Sequence, residues 1–206
     1  MSNTPVAQAD KMRRYYKFHA AIYDWTRWTF LLGRIGVLKQ LPTNIKSLFE
    51  VGCGTGHNLK WLSRRHNTMH LCGVDVSADM LDKARTTLNS AKDRVTLIHD
   101  SYQKTGFRPE TPPDAILFSY SLTMFNPGWE AAILCAKEDL PTDGRIVVVD
   151  FHNSPHHWFK RWMGFNHVRM DGHLLPFLQK HFATEHVKVR SAYFGLWYYV
   201  AFIGTK

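Results

Sequence analysis

The sequence has few cysteines, no long apolar run and no secretion signal at its start. Its three cysteines, Cys53, Cys72 and Cys135, are widely spaced and form no CxxC pair, so we expect neither a disulfide framework nor a zinc site, and a reducing compartment. The longest nearly unbroken apolar run, residues 195–204, is about half of the roughly 20 residues that a membrane-spanning helix needs. The first ten residues lack the basic start and apolar stretch of a signal peptide, so no secretion is expected.

The composition carries no sign of disorder or low complexity. Apolar residues make up 45% of the 206 residues and charged residues 21%, which is ordinary globular usage and allows a sizeable core. The length suits one domain with at most an appendage, and the sequence contains no internal repeat.

Acidic residues are scarce in two segments of the chain. The net charge is +9, and residues 1–46 carry eight Lys or Arg against two acids, while residues 151–190 carry six against two. The basic charge is confined to these segments, because the remaining residues are close to neutral. This distribution indicates an anionic partner, either a lipid surface or a nucleic acid; a solubilising surplus of charge is the alternative.

The spacing of apolar residues divides the chain into a helical N-terminal segment and a longer part in which predicted strands and helices alternate. Apolar residues at three- and four-residue spacing predict a helix over residues 6–40, with a break near residues 23–26. Further helices are predicted at residues 58–66, 78–90 and 128–139, with Ser77 capping the second of these. Strands are predicted at residues 45–51, 69–75, 95–99, 114–121, 145–150, 185–193 and 197–203. We therefore expect an α/β fold: a doubly wound Rossmann-like sheet of about seven strands, the last one antiparallel, with its ligand at the carboxyl ends of the strands.

A glycine-rich turn, Phe-Glu-Val-Gly-Cys-Gly-Thr-Gly, follows the first predicted strand at residues 49–56. Glycines are needed where the backbone turns sharply and a ligand lies against main-chain atoms. The dinucleotide motif G-x-G-x-x-G would need glycine where this chain has His57, and a P-loop would end in Gly-Lys-Ser/Thr. The spacing G-x-G-x-G, with Glu50 two residues before it, instead resembles the loop of class I methyltransferases that use S-adenosylmethionine. S-adenosylmethionine is therefore the predicted cofactor and S-adenosylhomocysteine its product.

Polar residues at the ends of the following strands support this cofactor. The Asp75 carboxylate would accept hydrogen bonds from the ribose hydroxyls, and Val76 would lie against the adenine. Asp100 and Ser101 match the family's contact to the adenine amino group, and Ser119 ends the strand where donor meets acceptor. Each residue alone also has a structural explanation, but four successive strand ends favour a binding site. The predicted cofactor-binding residues are Tyr16, Arg34, Glu50, Gly52, Cys53, Gly54, Gly56, Asn58, Asp75, Val76, Met80, Asp100, Ser101 and Ser119.

The segment after the fourth strand bears on the methyl acceptor. Enzymes that methylate exocyclic base nitrogens carry Asn/Asp-Pro-Pro-aromatic there, whereas this chain has Ser-Tyr-Ser-Leu at residues 119–122. Aromatic residues are frequent at 15–30 and 151–182, within the basic segments, which is typical of a membrane interface; the core of a helical lid is the alternative. We expect a lipid at an anionic membrane surface as partner, and no nucleic acid.

Four segments together carry a narrower resemblance, which extends over almost the whole chain: residues 23–30, 32–34, 50–56 and 164–173. They resemble the bacterial diacylglyceryl-homoserine N-methyltransferases of the BtaB type, relatives of the bacterial phosphatidylethanolamine N-methyltransferases. The resemblance implies three methyl transfers to one lipid amine, which give the betaine lipid diacylglyceryl-trimethylhomoserine.

The lipid N-methyltransferase hypothesis also assigns roles to residues that would contact the methyl acceptor. Tyr23 and Tyr120 are the predicted catalytic residues, because hydroxyl-bearing rings can surround an amine and stabilise a cationic product. Substrate binding is assigned to Tyr23, His152, Arg169 and His173, and a guanidinium, at Arg169 or Arg34, would hold the homoserine carboxylate. The two histidines can relay protons, although a histidine in a polar loop is more often structural. No metal is expected, since His152 and its neighbours lack an acid or cysteine to complete a ligand set.

The predicted organisation follows from these assignments. Residues 1–42 form a helical segment that faces the membrane, and residues 43–206 form the S-adenosylmethionine-binding domain, with a lid insertion at 151–182. The protein is expected in the cytoplasm, peripherally bound to the inner face of the membrane, and its oligomeric state is left open. The alternatives are an N-methyltransferase for phosphatidylethanolamine or another small amine, an RNA methyltransferase, and a non-catalytic S-adenosylmethionine-binding module.

Overall fold

A seven-stranded sheet forms the centre of the protein. The computed structural model describes residues 30–206, of which residues 33–206 form one compact unit. The strands β1 to β7 are Ser47–Val51, His70–Asp75, Val95–His99, Ala115–Ser119, Arg145–Asn153, Ala183–Ala192 and Trp197–Thr205. Their order across the sheet is β3-β2-β1-β4-β5-β7-β6.

Helices and short turns connect these strands. The helices α1 to α6 are Arg34–Leu38, His57–Arg65, Ala78–Thr87, Trp129–Asp139, His157–Phe165 and Leu174–His181. Short 3-10 helices lie at Asn89–Arg94, Leu122–Met124 and Tyr193–Gly195. The Ser77 hydroxyl accepts a hydrogen bond from the Met80 backbone N–H over 3.3 Å, so the predicted cap of α3 is confirmed.

The pairing of the strands confirms the predicted fold class. Strands β1 to β5 pair in parallel, while β7 runs antiparallel to β5 on one side and to β6 on the other. Strands β1, β4 and β5 are buried along nearly their whole length, which explains continuous apolar runs such as residues 146–149. The result is a doubly wound Rossmann-like sheet whose last strand is antiparallel.

Helices α4 and α6 cover one part of the sheet with a continuous apolar core. Each fully buried large apolar side chain in such a core contributes about 1.5–3 kcal/mol. Helices α1, α2 and α3 pack against one another and against β2, β3, β5 and β7. The core residues contributed by α4, α6 and the sheet include Phe49, Ile116, Phe118, Trp129, Ile133, Val148, Leu174, Leu178 and Phe202.

The strand order reverses at β1 and β4, and this reversal locates the ligand site. The chain winds outward from β1 to β3, then crosses back to β4 on the other side of β1. In sheets of this kind a crevice opens at the carboxyl ends of the two strands where the direction changes. The glycine-rich turn follows β1 and residues 119–121 end β4, so two separately predicted parts of the site lie at this crevice.

Strand β5 extends further than the sequence predicted. It continues to Asn153 because β7 pairs with it as far as Tyr198, whereas its predicted end was residue 150. His152 is therefore a strand residue, and the connection to β6 begins at residue 154 rather than 151. That connection, predicted as a lid insertion, contains the two helices α5 and α6.

Most of the predicted helix over residues 6–40 lies outside the described residues. Within them, α1 packs against β5 and β7. Gly33 precedes it with φ +80°, and a β-carbon there would lie 2.3 Å from the Tyr199 ring, so only glycine allows this close approach. Across residues 30–206, none of the helices combines the length and apolar character needed to cross a bilayer.

Candidate active site

The glycine loop at residues 52–56 brings the ends of β1 and β4 into contact. Gly52, Gly54 and Gly56 all have positive φ angles, of 72°, 53° and 74°. A β-carbon at Gly52 would lie 2.9 Å from the Ser121 β-carbon, so a side chain there would displace the segment after β4. The glycines therefore serve the turn and the close packing for which the motif predicted them.

A buried carboxylate supports the loop from beneath. Glu50, at the end of β1, is buried, and its Oε1 accepts a hydrogen bond from Asn58 Nδ2 over 2.7 Å, which ties β1 to α2. Cys53 is also buried, and this burial, followed by the negative charges of Glu50 and Asp75, raises the pKa of its thiol above the usual range. Cys53 therefore packs as a neutral thiol.

Asp75 joins the end of β2 to the same loop. Its Oδ2 accepts a hydrogen bond from the Gly54 N–H over 2.8 Å, and its Oδ1 accepts one from the Ser77 N–H over 2.9 Å. An ionised carboxylate has about four acceptor positions, so each oxygen keeps capacity for a further donor such as a ribose hydroxyl. Val76 beside it is 69% exposed, which leaves an apolar surface for a planar ring.

Asp100 and Ser101 follow β3 at the same edge of the sheet. Asp100 is exposed, and its Oδ1 accepts a hydrogen bond from the Ser101 N–H over 2.7 Å. The Ser101 carbonyl accepts one from the Phe107 N–H over 2.8 Å, which fixes the loop after β3. Asp100 is thus available to a ligand, while Ser101 has a defined structural role.

Two unpartnered hydroxyls lie at the end of β4. Ser119 and Ser121 are buried, and neither Oγ finds a hydrogen-bond partner among the described residues. Tyr120 between them has φ 56°, which is unusual for a residue with a side chain and is typical of functional sites. Its ring packs edge-on against Phe151, with the ring centroids 4.7 Å apart. These serines leave buried polar capacity at the reversal point, which a polar ligand would satisfy.

A buried acid in β5, Asp150, holds the turn that follows β4. Asp150 accepts hydrogen bonds from the Thr123 hydroxyl, from the Thr123 N–H over 3.2 Å and from the Phe151 N–H over 2.8 Å. Burial raises the pKa of Asp150 to about 6, although these hydrogen bonds act in the opposite direction. The turn Leu122–Met124 is thereby fixed against β5, beside the end of β4.

A bulge in β5 orients His152. The register between β5 and β7 shifts between Phe151 and Asn153, so His152 lies at an irregular position of the strand. Bulges of this kind redirect a side chain and are frequent beside active sites. The His152 Nδ1 atom is buried and has no hydrogen-bond partner within residues 30–206.

Residues 169–173, the acceptor segment, lie over α4 and beside these strand ends. The Arg169 N–H donates to the Thr123 carbonyl over 2.9 Å, and the Gly172 N–H donates to the His152 carbonyl over 2.7 Å. Arg169 Nε donates to Asp171 Oδ2 over 2.7 Å, and its guanidinium lies 5.9 Å from the centroid of the Trp129 ring. The segment that carries Arg169 and His173 is therefore attached to the turn after β4 and to β5.

Most of the predicted site residues fall into four groups. The glycine loop, Asp75, Val76, Asp100 and Ser119 share the carboxyl edge of the sheet, while His152, Arg169 and His173 form a cluster near the ends of β4 and β5. Met80 lies in the first turn of α3 and Arg34 begins α1, so both are on helices rather than at a strand end. Tyr16 and Tyr23 lie outside the described residues, and their roles stay predictions.

Several residues that build this site had no role in the sequence-based prediction. Thr123, Asp150, Trp129 and Asp171 acquire their positions through contacts between segments that are distant in the chain. Of these, Asp171 alone had a sequence signal, because it lies within the specific segment 164–173. Asp75 and the two serine hydroxyls, which have no partner among the described residues, fit an adenosyl cofactor with an amino-acid tail.

Comparison with known proteins agrees with this geometry. A family profile described as a methyltransferase domain matches residues 48–144. A trans-aconitate 2-methyltransferase of Afipia carboxidovorans is 28% identical over 115 residues, which make up 54% of this chain and 41% of that enzyme. The chain thus spans less than half the length of this curated relative.

Solved structures share the fold at low identity. The apo form of the S-adenosylmethionine-dependent methyltransferase SibL has a TM-score of 0.65 at 17% identity, over 92% of this chain and 57% of that chain. Geranyl diphosphate C-methyltransferase from Streptomyces coelicolor A3(2), solved with S-adenosyl-L-homocysteine, has a TM-score of 0.69 at 14% identity, over 84% of this chain and 74% of that chain. Residues 48–144 therefore match a methyltransferase domain, and the likeness to the solved structures shows the fold.

The positive φ angles of the loop generate a stability prediction. Replacement of Gly52 by Ala should lower the free energy of unfolding by about 1–3 kcal/mol, because a β-carbon there is strained and meets Ser121. Gly36→Ala is the control: it lies within α1 with open space around it, so a gain of about 0.5–1 kcal/mol is expected. Urea denaturation of both variants measures the difference, and equal free energies would contradict this description of the loop.

Proposed function

We propose that this chain is an S-adenosylmethionine-dependent N-methyltransferase acting at the membrane surface. Its acceptor is the amino group of diacylglyceryl-homoserine, which it methylates three times to give the betaine lipid diacylglyceryl-trimethylhomoserine. The observation that carries the proposal is an exposed aromatic and cationic surface on α5 and the β6–β7 turn. This surface lies at the same edge of the sheet as the candidate active site.

The cofactor half of the proposal rests on the strand ends. S-adenosylmethionine, when bound, supplies an activated sulfonium methyl group to a nucleophile. Asp75 and Val76 would hold its adenosine, and the glycine loop and the helix α2 that follows it would hold its amino-acid portion. The neutral Cys53 thiol adds packing rather than charge to this cradle.

Helix α5 has two apolar faces, and only one of them is buried. Phe159 and Met163 face the protein and are buried. Trp158, Trp162 and Phe165 recur at i, i+4 and i+7 on the other side and are 64%, 48% and 69% exposed. A helix exposing this much aromatic surface is typical of a segment that lies in a membrane interface.

The turn between β6 and β7 continues this surface. Phe194 at its tip is fully exposed and has φ 58°, and Tyr193 beside it is half exposed. Trp197 connects the turn to α5, because its ring stacks on Phe159 at 5.5 Å and lies 4.7 Å from Tyr193. We call the exposed set the aromatic surface: Trp158, Trp162, Phe165, Tyr193 and Phe194.

Charge around the aromatic surface favours an anionic bilayer. Residues 154–170 and 186–206 contain no aspartate or glutamate, and they include cations such as Lys160, Arg161, Lys188 and Arg190. Each cation near an anionic lipid surface contributes about 1 kcal/mol to binding. The aromatic rings would lie at headgroup depth, where an amphipathic ring is most favourable.

The direction of β7 brings the aromatic surface close to the carboxyl end of β5, beside the candidate active site. Since β7 is antiparallel to β5, its first residues lie beside the carboxyl end of β5, where Tyr198 pairs with Asn153. His152 and the acceptor segment are at that end of β5. A lipid head group held there can keep its acyl chains in a bilayer that contacts the aromatic surface.

Arg169 supports a head group that carries a carboxylate. Its side chain is 45% exposed, and its planar guanidinium offers a fork that matches a carboxylate. The Trp129 ring lies beside this guanidinium, and an aromatic face there can stabilise a cationic amine by about 0.5–2 kcal/mol. Phosphatidylethanolamine remains the alternative acceptor, because its head group has an amine but no carboxylate.

The acceptor is tested by transfer of a labelled methyl group. The protein is incubated with methyl-labelled S-adenosylmethionine and, in separate reactions, with diacylglyceryl-homoserine or phosphatidylethanolamine. Label should enter diacylglyceryl-homoserine, and chromatography should resolve its mono-, di- and trimethyl products. Replacement of Arg169 by Ala should reduce labelling of the homoserine lipid about tenfold or more, because a charge-assisted pair is lost, and should leave any labelling of phosphatidylethanolamine unchanged. Arg64→Ala, on the exposed end of α2, is the control. Label found only in the ethanolamine lipid, or in no lipid, would refute the assignment.

The membrane surface has its own test in vesicle binding. The double variant Trp158→Ala/Trp162→Ala should bind vesicles of phosphatidylcholine and phosphatidylglycerol about tenfold or more weakly, because two interfacial rings are removed. Leu134→Ala, a similarly exposed apolar residue on α4, serves as the control and should bind like the unchanged protein. Equal binding of the double variant would show that this surface does not meet lipid.

A further inference from the structure

Asp171 and His173 form a hydrogen-bonded pair within the acceptor segment. His173 Nδ1 is hydrogen-bonded to Asp171 Oδ1, and Arg169 Nε donates to the other carboxylate oxygen over 2.7 Å. Burial alone would raise the pKa of Asp171, but the hydrogen bonds from Arg169 and His173 outweigh it and hold that pKa below its usual value. An ionised carboxylate only accepts hydrogen bonds, so the proton in this pair is on Nδ1.

This tautomer leaves a lone pair on His173 Nε2. The side chain is only 8% exposed, and Nε2 has no hydrogen-bond partner within the part of the chain that the structure describes. The Trp129 ring packs edge-on against the imidazole, with the centroids 4.6 Å apart, and fixes its plane. A buried acceptor without a donor is unfavourable, so the arrangement is complementary to a ligand that brings an N–H group.

The groups around His173 keep the imidazole neutral near pH 7. Burial lowers its pKa, and this effect exceeds the opposing influence of Asp171; Arg169 also lowers the pKa and Glu130 of α4 raises it. His152 faces it from β5, and the pKa of His152 is itself lowered by burial and by the proximity of His173. Both rings can therefore accept a proton at neutral pH.

The proposed reaction needs such an acceptor. An aliphatic amine is protonated near pH 7, and its nitrogen has no lone pair for attack until one proton has left. Three methyl transfers to a primary ammonium release three protons in total, one for each new C–N bond. A hydroxyl such as that of Tyr120 is too weak a base to take them.

We propose that His173 Nε2 is the proton acceptor that converts the substrate ammonium into the free amine before each methyl transfer, with Asp171 as its positioning residue. This inference rests on the proposed N-methyltransferase function. In the step, one N–H bond of the ammonium breaks and its electron pair stays on that nitrogen, while the Nε2 lone pair forms the new N–H bond. The imidazolium so formed is paired with the Asp171 carboxylate, and the proton passes to water before the next transfer.

The pH profile of methyl transfer tests the proposal. His173→Gln should reduce the rate of methyl transfer on the order of 10²-fold at about pH 7. At about pH 9.5 this loss of rate should be about tenfold smaller, because free amine accumulates in solution. Asp171→Asn should shift the rising limb of the profile, because the tautomer is no longer fixed. His186→Gln, on β6 and away from the cluster, should retain the unchanged rate. Calorimetric binding of S-adenosylhomocysteine establishes that each variant is folded.

The outcomes separate this inference from the function on which it rests. A rate for His173→Gln that is lowered equally at every pH, or lowered less than about threefold, would overturn the inference while methyl transfer itself stands. If the unchanged protein methylates no amine, the proposed function falls. Independently of activity, nitrogen-15 NMR of labelled histidine should show His173 protonated at Nδ1 and bare at Nε2 near neutral pH, with the signal assigned by its loss in His173→Gln; a proton on Nε2 would contradict the proposal.

Discussion

The contact between the glycine loop and its neighbouring strand ends is the constraint on which the site depends. Gly52 lies against Ser121, and the Gly54 N–H is held by Asp75, so the tips of β1, β2 and β4 are fixed relative to one another. The strand order reverses at this point, where such sheets bind their ligands, and two buried serine hydroxyls there have no partner among residues 30–206. A β-carbon at Gly52 would push Ser121 away and separate the tips of β1 and β4.

The acceptor side follows from the strand pairing rather than from the loop. Because β7 is antiparallel to β5, the β6–β7 turn and α5 reach the edge of the sheet where the crevice opens. Asp150 fixes the turn after β4, the bulge orients His152, and the acceptor segment is attached to both. The aromatic surface, the Arg169 guanidinium and the His173 imidazole, to which we propose that lipid, carboxylate and proton bind, therefore lie along one edge.

The fold and the positions of the glycine loop and Asp75 could be predicted from the sequence because they depend on short local patterns. The glycine spacing, the acid at the end of β2 and the Ser77 cap each depend on a few consecutive residues, and the structure has them as predicted. The acceptor side depends on contacts such as Asp150 with Thr123 and Trp129 with His173, which join distant segments. The longer β5 escaped prediction for the same reason, since β7 stabilises its end. Tyr16 and Tyr23 are beyond the described residues.

Calorimetric titration with S-adenosylhomocysteine tests whether the strand ends hold an adenosyl cofactor. We expect one binding site per chain, and an affinity about tenfold or more weaker for Asp75→Asn, since a carboxylate that accepts from a diol is replaced by an amide. Asp79→Asn, an acid on the first turn of α3, should bind like the unchanged protein. No heat on titration, or equal affinity for Asp75→Asn, would contradict the account.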